Sequence, residues 1–276
     1  SHLIHANSYE PYIKTGTDSP ENFLAYSDFD QTYDMGGLVR NFIHRYSNHT
    51  RDWKDGDPTW QGGKGKSIIG ALNYLASVGI NSIYVVTYNL DGGDGQDVWP
   101  WTTSSERYRF DVSKLGQWEI VFDHASKLGI QVHLILQENE NNFALGNEND
   151  TRRKLYYKEL VSRFSHLLSI QYNIGEEDIS STSARLAYAK YIWLIDPYGH
   201  PIAVHSNYND SNTYNGLYGS PYFSASSFQG DGTKYDLTTL QIRTNSIISG
   251  RPWAVYGDEQ GPDNLFDATL MSGFFI

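Results

Sequence analysis

Two pairs of neighbouring carboxylates, Glu176-Glu177 and Asp258-Glu259, stand far apart along a chain of 276 residues, and each closes a short β-like stretch. Cleaving a glycosidic bond takes two carboxyl groups across one bond: one protonates the leaving oxygen, the other attacks or activates water. Adjacent residues of an extended segment point to opposite sides, so one member of each pair is expected to aim at the reacting atoms. Glu177 and Glu259 are the candidates that face each other if their strands lie across a barrel mouth. The chemistry also needs a split in acidity. Glu177 must hold its proton near neutral pH, helped by burial or by the charge of Glu176. Glu259 must stay ionised, with Tyr256, Gln229 and His205 as candidate donors. Without further information either pair could equally be an ordinary loop carboxylate or the partner of an arginine.

Polar residues collect at the ends of the other apolar stretches as well. Asp94, Asp97, Trp99 and Trp101 follow one; Gln137, Glu138 and Glu140 follow the next; Asn173 precedes Glu176; His205, Gln229 and Asp258 end the last three. All are expected to bind substrate. Asp91-Gly92-Gly93-Asp94-Gly95-Gln96-Asp97 reads as a loop presenting Asp94, Asp97 and a platform of Trp99 and Trp101 to a sugar. Calcium is the second reading of that loop, although it lacks the register and closing Glu of an EF-hand. The 21 tyrosines and 7 tryptophans suit stacking on pyranose faces, although core packing accounts for most of them. Arg107, Arg109, Arg152 and Arg153 could meet an acidic sugar or simply face solvent. No H-E-x-x-H spacing and no G-x-S-x-G elbow occurs, and there are no cysteines, so a catalytic metal, a serine nucleophile and a thiolate are not expected. The reaction is read as needing no cofactor.

The elements that must carry these residues alternate. Residues 66–78 place apolar groups on one helical face, Gly79 follows, and Ile83-Tyr84-Val85-Val86 reads as a strand. The unit recurs with Gly129 and Val132-His133-Leu134-Ile135-Leu136, each glycine allowing the left-handed turn after a helix. Strands are expected at 10–15, 82–89, 131–137, 169–174, 201–206, 222–228 and 252–257. Helices are expected near 113–128, 152–168, 182–195 and 236–249, with a last one from Asn264 into Met271. Short buried strands between amphipathic helices make a parallel sheet covered by helices. The fold class is therefore α/β, a (β/α)8 barrel with its active face where the strands end. A doubly wound sheet is disfavoured because no Gly-rich phosphate loop follows the first strand. Seven strands leave two open edges, so residues 1–276 are expected to be one catalytic barrel incomplete at its C-terminus, where an eighth strand would begin near Phe274-Phe275-Ile276. The formal charge of −11 argues against nucleic acid and anionic membrane, and no apolar run approaches a membrane span.

Asn173-Ile174-Gly175-Glu176-Glu177 and Pro252-Trp253-Ala254-Val255-Tyr256-Gly257-Asp258-Glu259-Gln260-Gly261 resemble the strand-four and strand-seven motifs of the clan A glycoside hydrolases. The segments 12–24 and 92–100, together with Gln137-Glu138-Asn139-Glu140-Asn141, are similar to an apiosidase-like bacterial subgroup often preceded by a small β-sandwich. The resemblance implies a retaining O-glycosyl hydrolase acting on a plant or algal polysaccharide by double displacement, outside the cell or in the periplasm. Glu177 would be its acid/base and Glu259 its nucleophile. Glu176 stands where the clan usually has an Asn that holds the sugar 2-hydroxyl; Glu176 itself or Asn173 would take that part. A non-catalytic carbohydrate-binding barrel and a polysaccharide lyase are the alternatives.

Overall fold

Amphipathic periodicity, caps and β-branched runs place the elements close to where the sequence puts them. In this computed structural model the described residues are 4, 7–17, 20–36, 43–90, 95–230 and 234–260. The strands are β1 (Gly16–Thr17), β2 (Ser82–Val86), β3 (Gln131–Ile135), β4 (Ile170–Asn173), β5 (Ile202–Ala203), β6 (Ala225–Gly230) and β7 (Ala254–Gln260). The helices are α1 (Lys66–Ser77), α2 (Val112–Lys127), α3 (Thr151–Phe164), α4 (Thr182–Ile195) and α5 (Tyr235–Ile248). Three of them start on a side-chain cap: Asp111 accepts from Lys114 N, Asp150 from Arg152 N and Ser181 from Ala184 N. Gly79 and Gly129 take φ of 86° and 77° after α1 and α2, the left-handed conformation that only glycine adopts cheaply there.

Strands β1 to β5 pair in sequence order, every pair parallel, and β6 pairs parallel with β7. The two groups are continuous. Ser224 N donates to Ile202 O (3.1 Å), Ser227 N to Val204 O (3.2 Å) and Ser206 N to Ser227 O (3.0 Å). Seven parallel strands thus form one curved wall with helices outside.

Alternation along the strands divides the interior into two layers. Ile83, Val85, Val132, Leu134, Ile170, Tyr172, Ile202 and Val204 face outward and merge with helix residues such as Ile68, Leu72, Trp118, Leu160 and Ile192 in the main core. The inward set is different. Tyr84, Val86 and Ile135 form a separate small apolar cluster, and the other inward positions, Gln131, His133, Gln171 and Asn173, are buried and polar. Barrel lumens are ordinarily filled by branched apolar side chains. This one is built for hydrogen bonding.

Strand β5 keeps only Ile202–Ala203 of the expected 201–206 and β6 runs over Ala225–Gly230 rather than 222–228; β1 and β7 depart in more informative ways. The ladder of β1 begins at Gly16, not within 10–15, because Asn81 occupies the preceding backbone: its Oδ1 accepts from Thr15 N (2.7 Å) and its Nδ2 donates to Ile13 O (2.9 Å). Strand β7 runs past 257 to Gln260, carrying Asp258 and Glu259 inside the ladder. The long connection before α1 is not a free surface loop. Phe29 stacks on Trp60 at 5.4 Å, Tyr26 packs edge-on to Phe29 at 5.3 Å, and Phe29 reaches Trp118 of α2. The expected last helix and the start of an eighth strand lie outside the described residues. Among the described residues no helix is long and apolar enough to cross a membrane.

Candidate active site

The end of β4 and the end of β7 both depart from regular strand geometry, and the departures aim four carboxylates at one region. Between β6 and β7, Phe228 pairs with Gly257 but Gln229 pairs with Glu259, so Asp258 is the extra residue of a bulge. A bulge cancels the alternation of faces. Asp258 turns inward to Lys14 and His133, its Oδ2 3.4 Å from His133 Nδ1. Glu259 also approaches the lumen, its Oε2 3.9 Å from His205 Nε2. After β4, Glu177 adopts φ of 41°, a left-handed conformation that side chains other than glycine rarely take. Glu176 Oε1 lies 3.0 Å from His205 Nδ1, while the Glu177 side chain hydrogen-bonds Gln229. The expectation that one member of each pair points away is therefore not met: the left-handed turn and the bulge bring both members in.

His205 and Gln229 join the two ends. Glu177 N donates to His205 Nδ1 (3.3 Å), and the other nitrogen of the same ring faces Glu259. Gln229 contacts the Glu177 carboxyl and is the ladder partner of Glu259. Residues 177 and 259 thus share both neighbours, on one face of the barrel.

The electrostatics separate the groups. Burial raises Glu177 above the ordinary carboxylate range, the charge of Glu140 raises it further, and the Gln229 bond opposes both. Burial also acts against the charge on Asp258, but the Lys14 ammonium and His133 overcome it and hold that carboxyl well below its ordinary value. Burial pushes His205 down to about 3, with His133 and Lys14 adding to the shift, so this imidazole is neutral at ordinary pH. Glu138 is raised to about 9 by burial and by the neighbouring charges of Glu21 and Glu140.

The other candidates divide. Glu140 is exposed at the mouth and Gln229 half-buried. Glu138 is buried, and Gln137 is turned into a network under the β3 end, where its Oε1 accepts from Arg153 Nη1 at 2.6 Å. Asn173 lies deeper in the lumen, its Nδ2 3.3 Å from His133 Nε2. Asp97 accepts from Met35 N and is raised to about 6 by burial. Trp99 and Trp101 do not offer a platform: they are 1% and 0% exposed. Lys114 covers Trp99, and Arg107 and Tyr88 cover Trp101, so no ring face is left for a sugar. Asp94 lies outside the described residues. Of the arginines, Arg152 pairs with Asp150, Arg109 with Glu106, and Arg153 is buried against Asn142 and Gly146.

Sequence reasoning missed Lys14 and His133. For His133 the signal was present, a polar residue at an inward strand position between Val132 and Leu134; Lys14, before β1, carried none.

Comparison with solved structures completes the fold. A glycoside hydrolase family 5 protein from Bacteroides vulgatus superposes with a TM-score of 0.62 at 15% identity, over 94% of this chain and 51% of that one. The fold is a (β/α)8 barrel. An endo-1,4-beta-mannanase from Rhizomucor miehei shares this barrel at 15% identity (TM-score 0.54, 98% of this chain, 82% of that one). So does a Bifidobacterium longum protein solved with Manβ1-4GlcNAc, at 11% identity (TM-score 0.55, 82% and 62%). The barrel spans about half the length of the Bacteroides vulgatus proteins that it matches. No family model and no curated protein matches the sequence.

Proposed function

We propose that this chain is the catalytic barrel of a retaining O-glycosyl hydrolase, apiosidase-like in its motifs, that cleaves a plant or algal polysaccharide or its oligomers outside the cell or in the periplasm of a bacterium. The observation that carries the reading is the sharing of His205 and Gln229 by Glu177 and Glu259. It brings two carboxyl groups to one face of a barrel whose structural neighbours are glycoside hydrolases.

In the proposed reaction Glu177, whose pKa burial raises, delivers its proton to the glycosidic oxygen as Glu259 attacks the anomeric carbon. Glu177, now ionised, removes a proton from the water that releases the sugar from Glu259. Glu140 and Gln229 are the groups available to sugar hydroxyls at the mouth, Glu138 and Asn173 being buried. The steps use carboxyl groups alone and need no cofactor. Several neighbours are mannan-active enzymes, which places β-1,4-mannan first among the polymers to try.

The test is a panel of polysaccharides offered to the full-length protein, with NMR of the product as it forms. Retention predicts that the first anomer seen matches the substrate, and the opposite anomer removes the double displacement. Glu259→Gln is expected to lower turnover by at least about 10³-fold, the scale lost when a nucleophile is removed from a hydrolase. Near-full activity in that variant would remove Glu259 from the nucleophile's role, whereas sugar binding without turnover, unchanged in the variant, would leave a binding barrel as the reading. An unsaturated product absorbing in the ultraviolet would instead indicate a lyase.

A further inference from the structure

We propose that Glu176, His205 and Glu259 form a site for one divalent transition-metal ion of the zinc class, and that its occupation shuts the catalytic face. The shutting rests on the glycosidase reading; the binding does not. One oxygen of each glutamate and one nitrogen of His205 all lie within 4.8 Å of one another. Ligand atoms sit about 2.0–2.2 Å from a tetrahedral zinc ion and so about 3.4 Å from one another, and modest side-chain rotations complete the shell.

A second observation points to a ligand. His205 is fully buried, yet its Nε2 has no hydrogen-bond partner among the described residues and faces Glu259 at 3.9 Å, too far for a bond. A buried ring nitrogen left in that way is costly unless something fills the gap. Gln229, the ladder partner of Glu259, carries a buried Oε1 that is likewise without a partner, a neutral oxygen available to such an ion. The donor set selects the metal. One imidazole with two carboxylates suits zinc, copper or manganese, whereas calcium asks for six to eight oxygens. Two negative side chains around one neutral ring also balance a 2+ ion.

In the proposed reaction Glu259 must reach the anomeric carbon with a free oxygen. A metal on that carboxylate withdraws the nucleophile, so hydrolysis stops while the ion is bound and returns with a chelator.

The experiment titrates the full-length protein with Co²⁺, read by its visible d–d absorption, and then displaces it with Zn²⁺ by calorimetry. One ion per chain is expected at this site. Glu259→Gln and His205→Gln should each weaken it by about 100-fold or more, since loss of even an outer-shell partner costs about 10–100-fold. Glu259 is partly exposed, with a side-chain accessibility of 26%, so its variant serves if His205→Gln does not fold. The competing site is the surface His166, whose Nε2 lies 3.9 Å from Glu119 and 3.8 Å from Asp123. Binding that survives Glu259→Gln but is lost in His166→Asn overturns the proposal, as does no uptake of either metal. Tight binding by a protein that cleaves no glycan without metal overturns the glycosidase reading and leaves the metal site standing. Cleavage that Zn²⁺ does not slow, with no ion bound, does the reverse.

Discussion

Glu177 holds a left-handed backbone at φ 41°, a conformation that costs on the order of 1–3 kcal/mol for such a residue and persists where the surrounding structure enforces it. Here the enforcing contacts are the His205 ring under its N–H and Gln229 on its carboxyl. The turn aims the side chain at the mouth, where burial and then Glu140 raise its pKa. That order has a kinetic consequence. In the proposed reaction Glu177 must be protonated, so activity falls on the alkaline side as Glu177 ionises. The negative charge of Glu140 disfavours ionised Glu177, so Glu140→Gln is expected to move the alkaline limb of kcat/KM to lower pH. Glu140 is exposed, and added salt should shift the wild-type limb in the same direction while leaving the variant nearly unmoved. A pH–rate series at two ionic strengths checks both. An alkaline limb that stays put in Glu140→Gln would mean that another group controls it. Glu177→Gln is expected to lose about 10²–10⁴-fold on substrates with poor leaving groups, the usual worth of a general acid.

The strands and helices explain what the sequence discloses and what it hides. Helix α2 was legible in outline, as a helix near 113–128 closed by Gly129, because apolar spacing and a helix-ending glycine are local signals. The same holds for β2 and β3, whose apolar runs need no distant partner to be recognised. The bulge at Asp258 was not legible, since it exists only as a mismatch between β7 and β6. The tryptophans misled for a related reason: Trp99 and Trp101 have the composition of a sugar platform, and burial by Lys114, Arg107 and Tyr88 is a tertiary fact. Closure of the lumen is equally non-local. Lys14, just before β1, pairs with Asp258 of β7 and lies 4.7 Å above the Tyr256 ring, with both charged side chains less than a tenth exposed. Lys14→Met would leave Asp258 charged and buried without its ammonium, at a cost of about 3–5 kcal/mol by denaturant unfolding. Lys14→Met with Asp258→Asn should recover part of that loss, because no bare charge remains. The pH dependence follows from the depressed pKa of Asp258. Its contribution is complete above the unfolded value near pH 4, about where a free Asp titrates, and drains away as the pH falls below that toward the folded value. Stability that is insensitive to Lys14→Met would separate β1 and β7 as independent edges.

At the scale of the whole molecule the charge decides which polymers can approach. The chain carries −11 formally, from 32 acidic and 21 basic residues. Part of the acidic excess stands at the strand ends, where Glu140, Glu177 and Glu259 are at least partly exposed. Arginines of the neighbouring loops and helices are already engaged: Arg152 by Asp150, Arg109 by Glu106, Arg185 by Asp178, and Arg153 in its buried network. Clefts lined by one sign of charge repel polymers of the same sign before contact, an effect that salt removes because it acts across more than a Debye length of about 8–10 Å. A neutral glycan feels none of this. On the glycosidase reading, then, at a pH below the alkaline limb, raising the ionic strength should leave kcat/KM on a neutral polysaccharide nearly unchanged and raise it on a carboxylated or sulfated polymer of the same backbone. The contrast belongs to approach, so it should be seen in kcat/KM and vanish in kcat at saturating substrate. A preference for the anionic polymer that salt weakens would place unpaired cations at the mouth and reverse the argument.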